Sequence, residues 1–175
     1  VLGSTPAGAD STKVVANATA ISIPDSGSAN PFPSTINVGG VGTDLTGLKV
    51  KIKNTTHGCA KDLDVLLVGP DGTKTTLFSD NGHAALLPNC SDLNKTSITI
   101  DDACADFSNS VPGGADICVR PSDNDSLGHQ GDSWPGVGND FPALNLSTFY
   151  GKNPNGAWKL YVVDDSGDDS GSFAG

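Results

Sequence analysis

The 175-residue chain contains no glutamate and no methionine, only one glutamine (Gln130) and one arginine (Arg120), and all 20 of its acidic residues are aspartate. The straight-chain residues that suit helix interiors are thus nearly missing, whereas Asp, Asn, Ser and Gly compete for the backbone in turns and caps. Gly and Pro together make up about a fifth of the chain, well above their usual share of about 12 %. This excludes a helical bundle and also a doubly wound α/β sheet, whose crossover helices would have to come from the same residues. The length suits one domain, which can bury roughly 70 % of its unfolded surface.

The strand pattern fills the space that helices leave. Period-two or continuous apolar runs predict strands over 20–23, 34–38, 45–53, 63–68, 74–78, 97–100 and 157–163. In the third, Leu48, Val50 and Ile52 alternate with Lys49, Lys51 and Lys53, which describes a half-solvated strand. Val65–Val68 is apolar on both faces and is expected to be central. Gly69-Pro70-Asp71-Gly72 is a hairpin turn between two of these strands, and Asn153-Pro154-Asn155-Gly156 is a second turn ahead of Trp158. Short strands with such turns predict an all-β sandwich or jelly roll. Residues 1–19 read as an arm or linker, and 20–175 as the sandwich. From about 81 to 145 the chain is a mostly polar loop that needs pinning.

A net charge of −10 and a pI near 4.3 exclude a duplex nucleic-acid surface and an anionic membrane as partners. No apolar run reaches spanning length. Val1–Asp10 is small and polar, so any export signal is expected to have been removed already. Cys59, Cys90, Cys104 and Cys118 form no Cys-x-x-Cys pair, and His57, His83 and His129 are not at zinc-ligand spacing. Two disulfides in an oxidising compartment are expected, with reduced, buried thiols as the alternative.

No enzyme signature is present. Gly-x-Ser-x-Gly is absent, His-Glu-x-x-His is impossible without Glu, and an Asp pair costs nothing in a chain with 20 of them. His57-Gly58-Cys59 reads as a loop histidine. The informative feature is aspartate clustering. Asp62-Leu63-Asp64 opens a strand, which places both carboxylates on one face, and the hairpin returns Asp80 to the same end. Asp101-Asp102 form a second group, and Asp164-Asp165 with Asp168-Asp169 a third. Hard carboxylate oxygens suit Ca²⁺, which takes six to eight of them. The competing reading is that Asp at strand ends satisfies turn amides. Six Asn-x-Ser/Thr sequons, at Asn17, Asn54, Asn89, Asn94, Asn124 and Asn145, are what such a composition produces by chance.

Several runs stand in order along the chain: Ile21-Ser-Ile-Pro-Asp25, Pro33-Ser-Thr-Ile36, the uninterrupted Asp62-Leu-Asp-Val-Leu-Leu-Val-Gly-Pro-Asp-Gly-Thr73, Leu77-Phe-Ser-Asp80, Ile100-Asp-Asp-Ala103, Phe149-Tyr-Gly151 and Asn155-Gly-Ala-Trp-Lys-Leu160. Together they resemble the P domain that follows the catalytic domain in subtilisin-like proprotein convertases and occurs in many secreted bacterial peptidases. The resemblance spans about 21–175. It implies a jelly-roll β-sandwich of the galactose-binding-domain-like kind, without an active site. Such a domain is secreted and supports the folding, stability or calcium dependence of the peptidase domain in the same precursor, with protein substrate as a further partner. The 81–95 and 102–145 loops are longer than the family leads one to expect. The family also continues into a last strand beyond Phe173-Ala-Gly175, so that strand is expected to be missing here, leaving a sheet edge open.

The hairpin places Cys59 and Cys90 in neighbouring loops, which favours pairing 59–90 and 104–118. The calcium ligands are expected among Asp62, Asp64, Asp80, Asp101, Asp102, Asp164 and Asp165. Trp134, Phe141 and Phe149, in or beside the long loops, are candidates for a contact surface. A free-standing carbohydrate- or matrix-binding module is the alternative, and it requires an aromatic platform exposed among residues 120–145.

Overall fold

A computed structural model describes residues 12–82, 90–107, 114–124, 132–138 and 143–175. Among them eleven strands form two sheets. The first runs in the order β1 (Ile21–Ile23), β11 (Gly171–Phe173), β4 (Val50–His57), β7 (Leu93–Ala105) and β8 (Asp116–Val119). The second runs β2 (Gly27–Ser28), β10 (Gly156–Asp164), β5 (Leu63–Val68), β6 (Lys74–Ser79) and β9 (Ser122–Asp123), with β3 (Ser34–Val38) also paired to β10. All pairings are antiparallel except β7 with β8 and β6 with β9.

The two sheets enclose one main core in a β-sandwich-like arrangement. Ile52, Ile98, Ile100 and Phe173 face it from the first sheet, and Val65, Leu67, Leu77 and Val162 from the second. Phe149 and Trp158 add a tilted aromatic pair with ring centroids 5.0 Å apart. β5 lies between β10 and β6, as its two-faced apolarity predicts. Its odd residues, Val65 and Leu67, join the main core, while Leu66 and Val68 point the other way. There they form a second cluster with Val163 and Trp134, lined by Phe32, Val137 and Tyr161.

Several boundaries differ from the sequence pattern. Leu45 and Leu48 reach the core from a loop, and β4 starts only at Val50. It continues to His57 through two register shifts against β7, with Asn54 in the left-handed region (φ 47°). Those bulges hide the strand from a period-two reading. Within the mostly polar 81–145 stretch β7 extends the expected 97–100 strand at both ends and β8 and β9 are added, and two disulfides, Cys59–Cys90 and Cys104–Cys118, hold the region.

The C-terminal residues also form structure that the sequence did not suggest. Gly171–Phe173 is a strand paired on both sides, by β1 and β4, with Phe173 fully buried. Glycine is needed at 171, because a Cβ there would sit 2.0 Å from the Thr56 carbonyl oxygen.

Candidate metal centre

The period of β5 places Asp64 on the same outer face as Leu66 and Val68. Its side chain is buried, at 1 % exposure. The Ser79 hydroxyl, from the neighbouring β6, donates to Asp64 Oδ1 at 2.6 Å, while Asp64 Oδ2 is buried without a hydrogen-bond partner. Asp80 follows β6 directly and is held in the left-handed region (φ 51°), and Asp132 arrives from the 132–138 segment. One ligand oxygen from each of Asp64, Asp80 and Asp132 lies within 4.8 Å of the other two. Oxygens at about 2.4 Å from one calcium ion are at most about 4.8 Å apart, so the spacing matches a shared ion.

The electrostatics point the same way. Two ionised carboxylates about 5 Å apart repel by about 3 kcal/mol at an effective dielectric near 20. Three carboxylates this close disfavour one another's ionisation, and a proton or a cation at the corner would relieve that repulsion. In the protein alone the Asp64 carboxyl is pushed up to about 9, by burial first and then by the Asp132 charge, against the opposing hydrogen bond from Ser79. The buried, unpartnered Oδ2 is what a hard cation would satisfy.

Asp62 does not join this group. A 3₁₀ turn over Ala60–Asp62 interrupts the alternation before β5, and Asp62 turns towards Lys61, 3.4 Å away. It forms a close group with Cys59 and Cys90, but both sulfurs there are consumed in a disulfide and cannot act as thiolate ligands.

Asp164, at the end of β10, accepts from His57 Nε2 at 2.9 Å. His57 Nδ1 lies 2.8 Å from the Cys59 carbonyl oxygen and 3.2 Å from Asp169 Oδ1. The imidazole is fully buried and spoken for at both nitrogens. Burial foremost raises Asp164, opposed by the Ser166 N–H and by His57, and burial also raises Asp165 and Asp169. Asp165 is exposed, next to Asp62 in charge but not in a ligand group.

The second expected group serves the backbone. Asp101 pairs with Lys49 at 2.7 Å and accepts the Ala103 N–H, and both contacts hold its carboxyl below the ordinary range. Asp102 accepts the Leu146 and Ser147 N–H groups, capping the 3₁₀ turn over Leu146–Phe149. These carboxylates satisfy turn amides and need no ion. Trp134 and Phe149 are both buried, the former in the outer cluster and the latter in the core, so neither offers a contact surface. Phe141 lies outside the described residues.

Asp132 and the His57–Asp164 pair went unpredicted. The only hint of Asp132 was Trp134 two residues on, an apolar anchor in an otherwise polar stretch. No family model matches the chain, and no curated protein is significantly similar to it.

Proposed function

We propose that this chain is a non-catalytic, calcium-binding accessory domain of a secreted peptidase, a jelly-roll sandwich of the P-domain kind that supports the catalytic domain of its own precursor. The observation that carries the reading is the 62–73 run. The residues that resemble the family most specifically form the central hairpin of the second sheet, and that hairpin carries the buried, unpartnered Asp64 carboxylate. Calcium would be held by Asp64, Asp80 and Asp132, with its remaining oxygens drawn from water or backbone. Two disulfides fit an oxidising, extracellular setting.

A non-catalytic role is supported by His57, the one histidine among the described residues, which is sealed from solvent with both ring nitrogens engaged. Among the described residues of the 120–145 stretch the one aromatic, Trp134, is buried, which does not favour the adhesion reading. The test is to produce the peptidase of the same precursor with and without this chain and follow its thermal inactivation in calcium and in chelator. The reading predicts slower inactivation with the chain present, and only in calcium. Equal rates in all four conditions would reject it.

A further inference from the structure

Residues 132–138 lie across the outer face of the second sheet, held there by an apolar seat and by a hydrogen bond from β6. Trp134 is seated among Leu66, Val68 and Val163. The Lys74 ammonium donates to the Val137 carbonyl oxygen at 2.8 Å, and the Val137 N–H closes a turn on the Trp134 carbonyl. Asp132, two residues before the indole, meets Asp64 and Asp80.

The apolar seat is imperfect. Trp134 Nε1 is buried with no acceptor, which costs the docked state an unmade hydrogen bond. Of the three carboxylates, Asp64 belongs to β5 and Asp80 directly follows β6, while Asp132 alone comes from the covering segment. Asp132 is therefore the one ligand that would tie an ion at the corner to this segment, and Trp134 lies two residues from it.

We infer that a calcium ion shared by Asp64, Asp80 and Asp132 fastens the 132–138 segment over the outer face of the second sheet, and that calcium withdrawal lifts Trp134 from its seat among Leu66, Val68 and Val163. The inference rests on the calcium reading above and adds to it that the ion decides whether this apolar face is covered. It makes Asp132 the ligand that couples ion to segment.

The test uses the intact chain with calcium chloride or chelator at constant ionic strength. Calorimetry reports ion binding, while tryptophan emission and acrylamide quenching report the segment. Trp134→Phe separates its signal from that of Trp158. Chelation is expected to move the emission to longer wavelength and to raise quenching, and Trp134→Phe abolishes both changes. Asp132→Asn, at a partly exposed position, removes both a ligand and its charge, so it is expected to bind the ion more weakly and to leave the emission nearly indifferent to calcium and chelator. Calcium binding with unchanged emission would overturn the inference while leaving the calcium reading intact. Absence of any binding heat, with unchanged emission, would remove the calcium reading itself.

Discussion

Replacing Asp64 by Asn separates the two occupants of the carboxylate corner, proton and cation, by sign. Asparagine keeps the shape and an oxygen to accept from the Ser79 hydroxyl, but it cannot ionise. In the unfolded chain Asp64 releases its proton near 3.8, whereas in the folded protein without metal it holds it up to about 9. The folded state thus binds the extra proton between these values, and stability falls as pH rises through the window, by about 1.4 kcal/mol per pH unit. At pH 5 the loss is roughly 2 kcal/mol and at pH 7 about 4 kcal/mol, an upper figure of roughly 10 °C in melting temperature for a chain of this size. In chelator, Asp64→Asn is therefore expected to melt above the parent at pH 7, with the gap widening from pH 5 to pH 8. Calcium narrows it, since only the parent has its full ligand set. At about 100 times its dissociation constant the ion adds about 2.7 kcal/mol to the protein that binds it. Thermal melts of both proteins at several pH values, with and without calcium, read all of this. A variant that melts below the parent in chelator at pH 7, or a gap indifferent to both pH and calcium, would refute the reasoning.

Other parts of the structure give independent expectations. His57→Ala strands the Asp164 carboxylate in a buried site, and urea unfolding should show a loss of about 3–5 kcal/mol, little changed by calcium. Gly171→Ala forces β11 away from β4 and should lower the melting temperature even though the substitution is small, as a scan of the purified variant would show. Replacing Cys104 and Cys118 together by serine opens a bridge between residues 14 apart, and denaturant unfolding should register a loss of about 3 kcal/mol.

How much of this was legible in the sequence follows the local physics. The hairpin joining β5 and β6 was readable because apolar runs and the Gly69-Pro70-Asp71-Gly72 turn agree with each other. β8, β9 and β11 were not, because each is two to four residues long and gains its identity only from the strand beside it. The same holds at the candidate metal corner. Asp64 and Asp80 were recoverable from strand period and turn geometry, while Asp132 depends on how a long polar segment folds back, which no local pattern encodes. Asp62 falls outside the group for a similar reason, since it ends a 3₁₀ turn instead of continuing the alternation of β5. Asp101 and Asp102 carried the composition of a metal site but serve Lys49 and backbone amides, a difference that only three-dimensional placement reveals.

The central claim is that one cation is held by Asp64, Asp80 and Asp132. Anomalous diffraction from crystals grown with calcium, or with a lanthanide in its place, tests it most directly. The account predicts a peak enclosed by these three carboxylates, with the Asp64 oxygen that lacks a hydrogen bond among its ligands. A peak among Asp62, Asp165 and Asp169 instead, with the Asp64 corner empty, would contradict it.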